Sequence, residues 1–109
     1  MINVTIYKNQ LEEYTAFQCK GHAGFAISGE DIVCSAVSAL VINTINSVEY
    51  LVSDEFELVT DSESGLIDFS LKDGYSSESV LLIRSLVLGL QGIQKNYGTE
   101  YIMLLFKEV

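Results

Sequence analysis

The hydrophobic pattern of the chain changes its period four times, and these changes constrain the fold more than any other feature. Alternating residues predict two strands at the start, Ile2 to Lys8 and Tyr14 to Lys20, with a turn beginning at Asn9. Apolar residues then recur three and four positions apart from about Asp31 to Val52. This spacing is typical of a long amphipathic helix. The first half of the chain is therefore predicted to be a hairpin followed by a helix.

The second half repeats this order. Glu55 to Thr60 and Gly65 to Lys72 alternate as a second hairpin, a helix runs to about Tyr97, and Glu100 to Lys107 reads as a last strand. The order ββαββαβ predicts an α+β fold, in which two long helices pack on one face of a mainly antiparallel sheet. Since the chain has no proline and no long polar linker, residues 1–109 are predicted to form a single domain.

The second helix is apolar on two sides. Ser76 or Ser77 is predicted to cap its start and Gly98 to end it. Apolar residues on both sides fit a helix enclosed in its own domain, and they fit equally a helix that also forms a subunit interface. Gly89 and Gly92 would allow a second helix to approach closely.

Charge and hydropathy exclude several classes of protein. With a net charge of −9 and six basic residues, the chain is not expected to bind nucleic acid directly. The acidity favours a basic partner, and solubility alone explains it as well. The start of the chain lacks a secretory pattern, and the apolar runs look too short for a membrane span. A cytoplasmic protein with reduced cysteines is therefore expected.

A glycine-rich segment carries the residues with chemical potential. It runs from Gly21 to Cys34, contains His22, the only histidine, and ends on one of two cysteines. If Asp31 caps the helix, Cys34 is the third helical residue, where free amides favour a thiolate. A histidine can take the thiol proton and return one to a leaving amine. A base and a nucleophile are the minimum that a cysteine hydrolase needs. The glycines Gly21, Gly24 and Gly29 would make the segment between them flexible.

Other interpretations of these residues remain open. Cys34 also fits a small buried hydrophobic position, and His22 a surface loop. Asp31 either caps the helix or orients the histidine, and Ser38 lies one turn beyond Cys34. A zinc site using Cys19 with His22 and Cys34 lacks an evident fourth ligand, and a phosphate site lacks basic residues in the loop. No metal or cofactor is therefore predicted.

Two short motifs resemble the signature of a known family. They are Gly21-His22-Ala23 and, after a flexible interval, the run from Gly29 to Ala39 that contains Glu30-Asp31-Ile32-Val33-Cys34-Ser35-Ala36-Val37-Ser38. Together they closely resemble the bacterial ribosomal-processing cysteine protease family, Prp. Ser35 departs from the pattern, where alanine is common, and this small change is not expected to affect the chemistry.

The resemblance implies a function that composition does not. It implies that Cys34 is the nucleophile and His22 the general base and acid, with Asp31 and Ser38 in support. The loop from Gly24 to Gly29 would order over the substrate. The implied substrate is the N-terminal extension of large-subunit ribosomal protein number twenty-seven, cut after a phenylalanine, and the implied assembly is a homodimer.

Two rival functions use the same residues differently. A ribosome-assembly adaptor would hold a basic ribosomal protein by charge, without cleaving it. A thiol redox sensor would link Cys19 to Cys34 or to another chain when oxidised. The adaptor predicts binding that does not depend on Cys34, whereas the sensor predicts a disulfide under mild oxidant.

Overall fold

The computed structural model describes residues 1–21 and 28–109, with only the backbone of residues 28–31. It has the predicted element order. The strands are β1 (Ile2–Lys8), β2 (Tyr14–Lys20), β3 (Phe56–Asp61), β4 (Leu66–Leu71) and β5 (Ile102–Glu108). The helices are α1 (Ser28–Ser47), which continues as the π-helical turn Val48–Val52, and α2 (Ser77–Tyr97).

The five strands form one sheet in the order β3-β4-β2-β1-β5. Three neighbouring pairs are antiparallel, and β1 pairs with β5 in parallel, so that Ile2 lies beside Ile102. The predicted mainly antiparallel α+β fold is therefore confirmed. The helix α2 connects β4 to β5. A connection of this length can cross the sheet, so β5 is able to run parallel to its neighbour β1.

The core lies between the helices and one face of the sheet. Alternate residues of β1 are buried, as a strand with one covered face requires. Phe17 and Phe69 stack at a centroid distance of 4.9 Å in the middle of this face, and α1 adds a buried row at four-residue spacing. That row is Val33, Val37, Val41 and Ile45, and the buried Val48 of the π-helical turn follows three residues later.

The predicted start of α1 is wrong by three residues. The helix begins at Ser28, so Asp31 is its fourth residue and cannot be the N-cap. The earlier start places Glu30 and Asp31 in the first turn, and acidic residues at such positions are typical of the start of a helix.

The segment Ile32–Val52 is long and apolar enough to cross a membrane by length and composition, with a mean hydropathy of 1.5. The sequence analysis missed it because scattered polar residues divide the run, although Glu49 is the one charged residue in it. In the structure one side of this segment packs in the core. Core helices of soluble proteins pass the same test of composition.

Asp54 caps α2. Ser76 is the N-cap residue, as predicted, but its side chain makes no capping hydrogen bond. Instead, Oδ2 of Asp54 accepts hydrogen bonds from the Ser76 N–H and hydroxyl, both at 2.7 Å, and from the Ser79 hydroxyl at 2.6 Å. These bonds lower the pKa of the Asp54 carboxyl, the Ser79 bond most of all. The loop before β3 thus fixes the start of α2.

The two apolar sides of α2 have different surroundings. One side is buried in the core and includes Ile83, Leu86 and Leu90. On the opposite side Leu81 and Leu88 are 61% and 72% exposed. The domain therefore does not enclose α2 completely, and this exposed pair stays available to a partner.

A candidate active-site cleft at Cys34

A cleft of about 370 Å³ opens between α1, the end of β2 and the hairpin formed by β3 and β4. Most of its wall is apolar, with hydroxyl groups and one carboxylate at the hairpin side. Its lining residues are Ile2, Cys19, Gly21, Cys34, Val37, Ser38, Val41, Thr60, Asp61, Ser62, Gly65, Leu66 and Ile67.

Cys34 reaches the cleft from the second turn of α1. Val33 and Val37 on the same helix are fully buried and fix how the helix rests on the core, while Cys34 is only partly buried. Ser38 follows four residues later and therefore lies on the same helix face. Both residues line the cleft, so the structure brings together two of the predicted site residues.

Cys19 lies on the sheet side of the cleft, opposite α1. It pairs with Val4 and Ile67 on the two neighbouring strands, and its side chain is only 7% exposed. Burial, with a smaller contribution from nearby Cys34, raises the pKa of Cys19 to about 11. Both cysteines are free thiols. At neutral pH Cys19 is therefore a protonated, poorly nucleophilic thiol.

Gly21 holds the end of β2 in a conformation that requires glycine. Its φ is +111°, and a Cβ at this position would lie 2.5 Å from the Met1 carbonyl oxygen. Its N–H donates a hydrogen bond to the Ser64 carbonyl oxygen at 3.3 Å. The residue just before His22 is thus held between the start of β1 and the turn that joins β3 to β4.

Several predicted site residues lie outside the described part of the chain. His22 and Gly24 are among them, so the structure does not test the predicted histidine–cysteine pair, and the predicted ordering of the loop stays a prediction. Gly29 and Asp31 are described by their backbone, and both lie in α1. The predicted loop from Gly24 to Gly29 is therefore too long, because its last two residues, Ser28 and Gly29, belong to α1.

The earlier helix start also changes the electrostatic argument for Cys34. Cys34 is the seventh residue of α1, not the third. The charge effect of a helix end falls off within the first turn, and amides from the second turn onward bond to helix carbonyls. The N–H of Cys34 is therefore not a free oxyanion donor, and base catalysis has to contribute more to activating the thiol than the sequence analysis assumed.

The sequence analysis missed the second wall of the cleft. It predicted a hairpin from Glu55 to Lys72, but nothing in the pattern marked its turn as a neighbour of Cys34. The missing information is the strand order: β2 lies between β1 and β4, which places the β3–β4 turn beside Gly21. A local hydrophobic pattern does not contain this pairing.

Known proteins share both the sequence and the fold. A sequence profile of the family described as cysteine protease Prp matches residues 1–102. The chain belongs to the Prp family. It is 31% identical over 101 residues to the ribosomal processing cysteine protease Prp of Bacillus subtilis strain 168, with 89% of this chain and 90% of that protein covered.

Solved structures agree with this membership. The chain matches Prp from Staphylococcus aureus in complex with a substrate peptide with a TM-score of 0.90 and 29% identity, covering 98% of this chain and 100% of that one. A second structure of that enzyme holds a covalently linked product peptide and matches with a TM-score of 0.88, 30% identity and the same coverage. The chain is accordingly a cysteine protease with the Prp fold.

Proposed function

We propose that this Prp-family protease removes the N-terminal extension of large-subunit ribosomal protein number twenty-seven, with Cys34 as nucleophile and His22 as general base and acid. The observation that carries the proposal is the opening of Cys34 into the cleft. Two facts support it: relatives are ribosomal processing proteases, and one of them is known with a covalently linked product peptide.

The proposed reaction proceeds in two steps. His22 takes the thiol proton, and the Cys34 sulfur attacks the scissile carbonyl, so that a C–S bond forms and a tetrahedral oxyanion develops. When the oxyanion collapses, the C–N bond breaks and the imidazolium gives its proton to the leaving amine. Water then attacks the thioester with His22 as base, which releases the new carboxylate and restores the thiol.

The shape and polarity of the cleft support a large apolar residue at the cut. Val37 and Val41 from α1 and Leu66 and Ile67 from β4 all line the cleft of about 370 Å³. A phenylalanine side chain fits such a space, and its burial there would contribute about 1.5–3 kcal/mol. The net charge of −9 would in addition attract a basic ribosomal protein.

The proposal is tested with the extended ribosomal protein of the same organism. Incubation with the wild-type enzyme should give two products whose masses locate the cut after a phenylalanine. Cys34→Ala and His22→Ala should each abolish cleavage while the circular dichroism spectrum stays unchanged. An uncleaved substrate with wild-type enzyme, or cleavage by Cys34→Ala at the wild-type rate, would contradict the assignment.

We also propose that the protein is a cytoplasmic homodimer and that the exposed side of α2 contributes to the interface. Leu81 and Leu88 are seven residues apart and therefore lie on one helix face, where both are mostly exposed. Leu88→Glu should lower the mass measured by light scattering from dimer to monomer. Leu51→Glu, at an 80% exposed leucine after α1, is the matched control and should remain dimeric. A wild-type monomer would contradict the proposal.

A further inference from the structure

The turn between β3 and β4 is held in shape by one carboxylate. Asp61, the last residue of β3, accepts a hydrogen bond from the Glu63 N–H on Oδ1 at 3.0 Å and one from the Ser64 hydroxyl on Oδ2 at 3.1 Å. Gly65 completes the turn with φ +67°. Since both carboxylate oxygens bond within the turn, Asp61 fixes the position of Ser64.

Ser64 in turn holds the end of β2. Its carbonyl oxygen accepts the Gly21 N–H, and on the other side of Gly21 the Met1 carbonyl leaves no room for a Cβ. Gly21 thus has backbone contacts on two sides and little freedom to move toward either. The next residue in the chain is His22.

The same turn borders the cleft in which Cys34 lies. Asp61, Ser62 and Gly65 line one side, and Gly21 lines the adjoining end. The chain of contacts from Asp61 through Ser64 to Gly21 therefore connects the wall of the cleft to the residue from which His22 starts. Catalytic geometry is sensitive to small shifts, because a displacement of about 1 Å can cost about 100-fold in rate.

We propose that Asp61 is a positioning residue for catalysis: through Ser64 and Gly21 it fixes where the His22 segment leaves β2. The inference rests on the proposed role of His22 as the base. Asp61 does not take part in proton transfer, and its carboxylate acts by holding the turn. Its loss should therefore lower the rate of the chemical step and leave substrate affinity nearly unchanged.

The test measures kcat and KM with a peptide that spans the cut site of the extended ribosomal protein. Asp61→Ala removes both turn hydrogen bonds, and kcat should fall about 10-fold or more while KM stays within about threefold. Ser64→Ala keeps the carbonyl but loses the hydroxyl, so a smaller fall is expected. Asp61→Asn can still accept from the Glu63 amide and bond to the Ser64 hydroxyl, and should recover most of kcat.

Glu57→Ala is the matched control, since it removes one negative charge from an exposed position of the same strand. It should leave kcat, KM and the melting temperature unchanged. A raised KM with unchanged kcat in Asp61→Ala would overturn the inference, because the turn would then merely contact substrate. Unchanged kinetics would overturn it as well. If Asp61→Ala does not fold, Ser64→Ala decides instead: its kcat should fall while KM stays within about threefold, and a kcat equal to that of wild type would overturn the inference.

Failure of this inference is distinguishable from failure of the proposed function. If His22→Ala abolishes cleavage and Asp61→Ala does not slow it, the positioning role is wrong and the base assignment stands. If His22→Ala cleaves at the wild-type rate while Cys34→Ala is inactive, the base assignment itself is wrong.

Discussion

The side chain of Leu40 on α1 fills the space above Gly89 on α2. A Cβ added at Gly89 would lie 2.8 Å from Cδ1 of Leu40, whereas a Cβ added at Gly92 would meet no atom of the described residues within 4 Å. The two glycines lie in the same helix, three residues apart. They therefore share the same helix propensity and differ only in what an added Cβ would contact.

The contrast predicts unequal effects of alanine. Gly92→Ala should raise the free energy of unfolding by about 0.5–1 kcal/mol, because alanine favours the helix and meets open space. Gly89→Ala gains the same propensity but has to displace the terminal methyl of Leu40, so it should stabilise the protein less than Gly92→Ala does. Urea unfolding of both variants measures the difference. A Gly89→Ala variant as stable as Gly92→Ala would show that Leu40 moves aside without cost.

Removing the Asp54 cap should destabilise the start of α2. Asp54→Ala leaves the Ser76 N–H and the buried Ser79 hydroxyl without their acceptor, which should cost about 1 kcal/mol at pH 7. The pKa of Asp54 is lowered in the folded protein, so this stabilisation is complete above the unfolded-state value of about 3.9 and is lost as the pH falls through the folded-state pKa.

Thermal unfolding at pH 7 and at pH 3 tests both parts of this prediction. The melting temperature of Asp54→Ala should be clearly below that of wild type at pH 7, and the difference should be smaller at pH 3. Glu55→Ala removes the neighbouring charge and should behave as wild type at both values. If the difference in melting temperature were as large at pH 3 as at pH 7, packing and not the charged carboxylate would stabilise the start of α2.

The two thiols should react at very different rates. Cys34 is partly exposed in the cleft, whereas Cys19 is buried and its pKa is raised to about 11, so only about 0.03% of it is thiolate at pH 7.5. Iodoacetamide at that pH should label Cys34 alone in the folded protein and both residues in urea. Peptide mapping by mass spectrometry reads the result. Faster labelling of Cys19 than of Cys34 would contradict the described cleft.

Alkaline pH should destabilise the protein through Cys19. The folded-state pKa of Cys19 is raised above the unfolded value of about 8.5. Its contribution to the free energy of unfolding is therefore complete below about pH 8.5 and is lost as the pH rises through about 11. Over this interval of about 2.5 pH units the loss is on the order of 3 kcal/mol. The free energy of unfolding measured in urea should therefore fall more steeply between pH 8 and 10.5 for wild type than for Cys19→Ala. Parallel curves would be inconsistent with the raised pKa.

Much of the fold could be predicted because hydrophobic periodicity is local. The bounds of β1 and β2 follow from alternating residues, and the end of α2 follows from Gly98. The predicted start of α1 is three residues late because Asp31, a cap-type residue, stands directly before the apolar periodic run. The acidic residues that follow Ser28 fit the first turn of an earlier helix and were the available signal.

The site was only partly predictable for a related reason. Cys34 and Ser38 are close in sequence and share a helix face, so their common place in the cleft follows from helix geometry. Asp61 and Gly21 both line the cleft because β2 pairs with β4, and Asp54 accepts a hydrogen bond from Ser76, which lies 22 residues later in the chain, beyond β3 and β4. Such contacts depend on the order of strands in the sheet, which no local pattern specifies.

The parallel pairing of β1 with β5 affects how the protein folds during synthesis. Residues 2 and 102 are neighbours in the sheet, so β1 cannot complete its hydrogen bonds until nearly the whole chain has left the ribosome. Pairings this distant in sequence slow folding, because a large loop has to close first. Nascent chains that stop before Ile102 should remain sensitive to proteolysis, since their β1 still has an open edge.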